Sequence, residues 1–441
     1  MEQRRKNLTQ LFIPICLETL LYMLSGMVDT LMLSSVNDQA VGAVGTANTY
    51  IGIFIIMFSV ISSGMVAVMT QNIGAGRPGV AYQARQLGLA FNAVLGVIMS
   101  LFLSLGAGTI LSGVGVADAL MQPAKTYLQI VGGFCILNAL IPICSSYLRA
   151  FGFSKEPLYA SIIGNVINFC LNAFFLFVLH KGVAGVATAT VISRIINLVI
   201  VVLLGAVLVK AKQHPERESN RAVMGQIIRI GLPSACETAI YNVSMTLVIR
   251  FLNQMDAQGL NVTARSYTMQ ITNFSYCVGA ALAQANAIMT GWHIGAKEYD
   301  ACDRGTKKAA VIGVIVAVIL ETVFTLCSGW IMQLFSKDPQ MVSLVGKLLA
   351  IDIVLEIGRV TNLVYGQALK TSGDAVFPVV MGVCFMMLCS VGGTYLFGIR
   401  LGLLAVGAYI GMAGDECVRA IGMYLRWKSG KWKEKGLIKS R

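Results

Sequence analysis

The sequence predicts an all-α integral membrane protein with twelve transmembrane helices in two pseudo-symmetric six-helix lobes. Three observations lead there: an apolar composition, a succession of long apolar runs, and an internal repeat. Of the 441 residues, 56% are hydrophobic and 12% charged, whereas a soluble globular domain carries roughly 25% charged residues. A spanning helix takes roughly 20 mostly apolar residues. Twelve such runs can be drawn, at 8–34, 46–72, 86–112, 122–148, 157–179, 183–210, 226–252, 264–290, 306–334, 341–369, 376–398 and 401–426. Strands are disfavoured, because backbone in lipid must be satisfied within a helix or a closed barrel, and these runs lack barrel alternation.

The repeat divides the chain. Pro14, Glu18, Thr19, Tyr22 and Ser25 return with every spacing kept as Pro233, Glu237, Thr238, Tyr241 and Ser244, 219 residues later. Leu148-Arg149-x2-Gly152-x4-Pro157 returns as Leu369-Lys370-x2-Gly373-x4-Pro378, and Ile73-Gly74-Ala75 as Ile294-Gly295-Ala296, both 221 residues on. Related halves in an apolar chain are a common plan of transporters. The expected division is an N-terminal lobe at 1–210, a linker at 211–224 marked by the polar stretch Lys210–Asn220, a second lobe at 225–427 and a basic tail at 428–441.

A net charge of +13 could point to nucleic acid, but its distribution argues otherwise. With twelve spans both termini lie on one side. Of the 34 Lys and Arg, 24 fall on that side; seven (Lys125, Lys181, Arg250, Arg265, Lys337, Lys347, Arg400) fall opposite, and Arg194, Arg359 and Arg419 lie within spans. Positive charge gathers on the cytoplasmic face, so both termini are expected there, with the basic tail as a topology anchor near anionic lipid. Ten of the eleven Cys fall in predicted spans and only Cys302 in a loop, a poor disulfide framework. The first apolar run is expected to be retained, since no cleavage pattern follows it.

Ionisable residues inside a bilayer are expensive and therefore candidate functional groups. Asp29 stands in the first span with no basic residue one turn away along the chain, suited to proton or cation handling unless water or hydroxyls simply solvate it. In the fifth span Asn165, Asn168 and Asn172 share one helical face, and Thr190 in the sixth is a further oxygen donor; these are either ion ligands or polar glue between helices. Glu18 and Glu237, each four residues after a proline, suggest a shared structural task such as bonding backbone groups the proline frees. Asp352, Glu356 and Arg359 in the tenth span, and Asp415, Glu416 and Arg419 in the twelfth, have the spacing of intrahelical ion pairs. A charge network is expected there, with cation binding as its alternative. No catalytic constellation, metal-ligand spacing or phosphate loop is found, so uphill transport would draw on an ion gradient.

These residues resemble the multidrug and toxic compound extrusion (MATE) family over nearly the whole chain, Leu11 to about Lys433. The markers are Val28-Asp29-Thr30, IGAGRP at Ile73–Pro78, LRAFGFSKEP at Leu148–Pro157, GVAGVATATVISR at Gly182–Arg194, LEIGR-x2-N at Leu355–Asn362 and LKTSGDAVFP at Leu369–Pro378. The LEIGR segment, Asp415-Glu416…Arg419 and the WKSGKW tail are similar to one bacterial branch. The resemblance implies two lobes around a central cavity that alternate between outward- and inward-facing forms. It implies export of small amphipathic organic cations against protons or sodium, with no cofactor. The family's first-lobe ion site maps onto Asp29, Asn168, Asn172 and Thr190, and Pro14 matches its helix-bending proline. Members with a full first-lobe sodium site often have Asp where this chain has Asn172, which favours protons here. The family's second-lobe acids fall at Arg359 and near Tyr241, so that mechanism does not transfer directly.

The expected protein is thus a multi-pass exporter of the bacterial inner membrane, working as a monomer in the lipid bilayer, with an organic cation as cargo and no nucleic-acid partner. Tyr22, Met23, Tyr241, Met245 and Phe274 are candidate cavity residues. A specific metabolite such as a flavin or short peptide is an alternative cargo. A lipid-linked-sugar flippase of related fold is the rival; it would want a basic cavity, whereas here intramembrane acids outnumber arginines and Asp29 has no nearby cation in the sequence.

Overall fold

The computed structural model describes residues 6–35, 38–113, 116, 118–210, 214–256, 258–333 and 335–438. Among these the chain is helical throughout, without strands. The helices are α1 (Leu8–Ser34), α2 (Asp38–Gly74), α3 (Pro78–Gly113), α4 (Asp118–Tyr127), α5 (Ile136–Ala150), α6 (Lys155–Ala173), α7 (Gly182–Leu208), α8 (Asn220–Met255), α9 (Leu260–Gly295), α10 (Tyr299–Leu326), α11 (Ser328–Met332), α12 (Pro339–Thr371), α13 (Val376–Phe385) and α14 (Leu404–Lys428). Wider π turns follow α4 (Leu128–Gly132), α6 (Phe174–Val178) and α13 (Met386–Val391, Thr394–Arg400). Joining α4 to α5, α10 to α11 and α13 to its π turns gives the twelve expected segments.

Among the described residues, seven segments are long and apolar enough to cross a membrane. An eighth is the α4–α5 pair, bent by 43° at the break around Gly133. Of the others, α12 and α14 fall short because charge is built into them, Asp352, Glu356 and Arg359 in the one and Asp415, Glu416 and Arg419 in the other, whereas α8 and α9 carry many polar residues such as Asn242, Asn273 and Gln284. Large apolar side chains on the outside, such as Leu105, Leu326 and Trp330, make a surface that water would penalise and lipid accepts.

Two compact units emerge, Met1–Leu232 and Pro233–Arg441. The first extends past the expected linker because the opening turns of α8 pack within it. An added Cβ on Gly231 would lie 1.7 Å from the Val60 carbonyl oxygen, and one on Gly64 2.0 Å from that of Ile227. Residues 211–213 of that linker lie outside the described residues. The first unit's core gathers Leu33, Phe58, Leu103 and Tyr127; the second's gathers Val248, Leu252, Leu348 and Tyr409.

The sequence repeat returns as repeated backbone. After α5 the Gly152 N–H donates to Arg149 O (2.9 Å) and Phe153 N–H to Leu148 O (2.9 Å); after α12 Gly373 donates to Lys370 O (3.0 Å) and Asp374 to Leu369 O (3.0 Å). Gly152 and Gly373 have φ of 86° and 98°, the left-handed region where a Cβ is penalised. Pro14 and Pro233 both lie inside helices, α1 and α8, each removing one backbone donor.

The basic tail is folded rather than free. Trp432 is buried and stacks on Trp427 with ring centroids 4.2 Å apart, while Lys435 pairs with the buried Asp374 at 2.7 Å. Cys302 likewise sits buried on α10 rather than in a loop.

Candidate coupling sites

In the first unit α1 carries Asp29, and α6 presents Asn168 and Asn172 four residues apart on one face. Asn172 Nδ2 donates to Asp29 Oδ1 at 2.6 Å and to Asn168 Oδ1 at 3.2 Å. Both asparagines are buried, Asn172 completely. The Asn172 Oδ1 has no hydrogen-bond partner among the described residues. Thr190 is buried on α7, but its hydroxyl donates to Val186 O (2.9 Å) within its own helix. The structure thus joins Asp29, Asn168 and Asn172 in one chain of hydrogen bonds and leaves Thr190 outside it. Asn165 is not part of that chain; its Nδ2 is buried without a partner among the described residues.

One expectation about Asp29 is corrected. Arg194 on α7 acts electrostatically on the carboxylate, so a cation is near it in space though remote in sequence. A helix neighbour 165 residues away is invisible to local spacing. The acid is therefore not isolated in oil: it accepts a hydrogen bond from one amide and lies within the field of one guanidinium.

The proline-linked glutamates are corrected too. Glu18 is paired with Arg149 at 2.5 Å, and Glu237 with Lys370 at 2.6 Å. They bind side-chain cations rather than backbone freed by Pro14 or Pro233. The shared structural task is a strut between the first helix of each half and the end of its fourth membrane segment.

In the second unit the expected network is present. Arg359 donates to Glu356 one turn away and lies 3.7 Å from Glu416 Oε1. Arg419 forks onto Asp415, with Nε and Nη2 at 2.9 and 3.0 Å, and reaches Glu416 at 2.8 Å. Asn362 Nδ2 donates to Glu416 Oε2 and Ser390 Oγ to Asp415 Oδ2, both at 3.0 Å. Paired guanidinium–carboxylate bonds of this kind offset the cost of burial. A cavity of about 420 Å³ opens against this network within the second unit, with Glu237, Tyr241, Met245, Asp352, Arg359 and Lys370 on its wall. Tyr241 and Met245 thus meet the expectation of cavity lining.

Glu321 on α10 is the residue that local reading missed. It is completely buried, and one oxygen each from Glu321, Asp352 and Glu356 lie within 4.8 Å of one another. The expected absence of a metal-ligating group rested on spacing along one helix, whereas this cluster is assembled across α10 and α12. Its signal in the sequence was a single acid inside the apolar run Ala309–Leu326.

A bundle of apolar helices that buries carboxylates beside amides, guanidinium groups and a polar cavity defines a membrane transporter and not an enzyme. The chain belongs to the MATE family: the MatE family model matches residues 14–174 and 233–396, one match per half. It is 34% identical to the uncharacterized transporter YisQ of Bacillus subtilis (strain 168), over 96% of this chain and 94% of that one. It is 23% identical to the probable multidrug resistance protein NorM of Thermotoga maritima, over 98% and 94%. Among solved structures it resembles the outward-facing conformation of a multidrug resistance MATE family transporter of the MOP superfamily, with a TM-score of 0.85 at 18% identity over 98% of this chain and 96% of that one.

Proposed function

We propose that this protein is a secondary antiporter that exports small amphipathic, often cationic organic compounds by alternating access, driven by a proton taken up at Asp29. The observation that carries the reading is the Asp29–Asn172–Asn168 chain of hydrogen bonds in the first unit. Asn172 presents an amide N–H₂ to an ionised Asp29, a donor that a protonated carboxyl needs less. Proton uptake loosens that bond and the attraction to Arg194, so the carboxyl has two states with different neighbours. Coupling follows only if cargo and ion each bind the two transporter states unequally. Having an amide at 172 rather than a second carboxylate supports the proton over sodium at this site. The bacterial relatives and the distribution of Lys and Arg support an inner-membrane location with cytoplasmic termini.

The experiment is transport in proteoliposomes with imposed pH or sodium gradients, comparing wild type with Asp29→Asn. Export driven by an inward proton gradient is expected in wild type and lost in the mutant. Unchanged export in Asp29→Asn removes this residue from the mechanism, and drive by sodium alone overturns the proton assignment.

A further inference from the structure

We propose that Arg265 anchors a carboxylate in the second-unit cavity, and that the compound held there is a zwitterion with an apolar ring system. Calling that compound a cargo rests on the exporter reading above; its binding does not depend on proton uptake at Asp29. The charge count along the sequence places Arg265 outside the spans, on the face opposite the termini. In the structure α9 begins at Leu260, and Arg265 is a helical residue, 6% exposed, on the wall of the cavity. Arg265, Met269, Thr272 and Tyr276 follow one another at helical spacing, so they share one face of α9, and all four line the cavity.

Pairing is the first reason. The other basic side chains of the wall are matched: Lys370 with Glu237, Arg359 with Glu356 and Glu416, and Arg419 with Asp415 and Glu416. Arg265 forms no ion pair among the described residues. Asp256, the acid nearest to it along the chain, instead accepts hydrogen bonds from the Leu260 backbone and from both nitrogens of Asn261. The Arg265 Nη2 turns to Met245 Sδ at 3.7 Å, and a thioether is a weak acceptor. Its Nε is buried with no hydrogen-bond partner among the described residues. A guanidinium carries five N–H donors, and a buried charge with unmatched donors is costly. Cavity water can take up donors, but it leaves the charge unbalanced.

The second reason is a complementary charge on the same wall. Asp352 has no ion pair among the described residues either, and its Oδ2 lacks a hydrogen-bond partner there. The buried Tyr409 lies in the field of both Arg265 and Asp352. Two unmatched charges of opposite sign thus face one cavity. A ligand with one negative and one positive group meets both at once, whereas a purely cationic one leaves Arg265 as it was.

Chemistry selects the anion. A planar carboxylate matches the guanidinium fork with two parallel bonds. A phosphate, with its second charge, is disfavoured because Asp352, Asp415 and Glu416 line the same cavity and like charges repel. The remaining wall suits a ring system: Tyr241, Tyr276, Met245, Met269 and Met412 offer apolar surface, and methionine adapts to varied shapes. A volume of about 420 Å³ lies within the roughly 300–1,000 Å³ usual for small-molecule pockets.

The test is a fluorescence titration of the purified full-length protein in detergent, with no gradient. The probes are ε-dansyl-lysine, a zwitterion, and its methyl ester, which keeps the ammonium and the rings but lacks the negative charge. Wild type is expected to bind the acid roughly tenfold or more tightly than the ester, the scale of charge-assisted hydrogen bonds. Arg265→Gln should abolish that preference by weakening the acid roughly tenfold, while affinity for the ester holds or rises. Arg265→Lys keeps the charge without the fork and should retain part of the preference. Thermal melting establishes that each variant is folded, and the acid–ester comparison in wild type decides the matter even without the variants. The proposal is overturned if wild type binds the ester as tightly as the acid, if it binds neither saturably, or if folded Arg265→Gln keeps the preference. Displacement of the acid by inorganic phosphate and not by acetate also overturns it. Because no transport is measured, a missing preference leaves proton-driven export of cations standing, and failed export in the Asp29 experiment leaves the Arg265 site standing.

Discussion

The Glu18 carboxylate accepts a 2.5 Å hydrogen bond from Arg149 across 131 residues of sequence, and the second half repeats the contact as Glu237–Lys370 at 2.6 Å. Two repeat motifs that are separate in the sequence are therefore two ends of one strut. The side chains of Arg149 and Glu18 are only 11% and 17% exposed, so removing one leaves the other charge poorly solvated. Glu18→Ala is expected to destabilise the protein by on the order of 3 kcal/mol. Adding Arg149→Met should recover part of that loss, because the stranded guanidinium is gone. A double-mutant cycle on thermal melting checks this, and strictly additive losses would show that the pair is not coupled.

The repeat made the architecture legible: twelve apolar runs and two halves need only composition and spacing. The intrahelical pairs Glu356–Arg359 and Asp415–Arg419 were legible for the same reason, since three and four residues make one turn. The electrostatic influence of Arg194 on Asp29 and the grouping of Glu321 with Asp352 were not. Both depend on how one helix is rotated against another, and a single sequence carries no record of that rotation. The first compact unit runs on to Leu232, past the polar linker, because the turns of α8 that follow the linker pack backbone to backbone through glycines.

Asn172 offers a way to change the ion rather than abolish the site. It already touches Asp29 and Asn168, so Asn172→Asp places a second carboxylate within hydrogen-bond reach of the first. Two carboxylates that close cannot both remain charged without a cation or a shared proton. Sodium-stimulated transport is expected to appear in Asn172→Asp, with a weaker response to an imposed pH gradient. Flux in proteoliposomes under separate sodium and proton gradients measures it; a variant that keeps the wild-type proton dependence counts against an ion site at these residues.

Close helix contact in the first unit rests on Gly64 and Gly231, whose hypothetical Cβ atoms would lie 2.0 and 1.7 Å from backbone oxygens. Backbone cannot move aside as a flexible side chain does. Gly231→Ala is expected to cost at least the roughly 1–3 kcal/mol typical of overpacking. Gly225→Ala, six residues earlier on the same helix with nothing within 4 Å, should instead be neutral or gain up to about 1 kcal/mol of helix propensity. Folded yield and melting temperature of the two variants in detergent should diverge accordingly.

Asp256 closes the loop between α8 and α9. Burial pushes its carboxyl upward, but hydrogen bonds from the backbone and side chain of Asn261 and from the Leu260 backbone outweigh this and hold it below its ordinary value of 3.8. A carboxyl depressed by folding stabilises the protein above its unfolded pKa and loses that contribution as pH falls through the folded one. Wild type should therefore lose melting temperature below about pH 3.8. Asp256→Asn should start lower at neutral pH and show a shallower decline as pH falls through about 3.8 and below. Parallel curves would assign the acid sensitivity to other carboxylates.

Trp432 decides between two roles for the basic tail. Its ring lies flat on Trp427, with an interplanar angle of 9°, and its Nε1 donates to Trp427 O at 3.0 Å. Trp427 in turn donates to Asp303 on α10 at 2.9 Å. Alongside, Asp374 accepts from Arg426 and from Lys435, both at 2.7 Å, and Gly373 leaves no room for a Cβ against the Lys435 carbonyl. Helix α14, the tail and the turn after α12 are thus one packed assembly within the second unit. Replacing a fully buried Trp by Ala costs about 3–5 kcal/mol, and Trp432→Ala is expected to fall in that range even in detergent free of anionic lipid. Substituting Lys431 by Gln should leave melting unchanged there, since it makes none of the contacts just described, whereas Lys433 lies over the Trp432 ring at 5.8 Å. If Trp432→Ala melts like wild type while the lysine variant loses affinity for anionic vesicles, the tail acts on the membrane and contributes nothing to the fold.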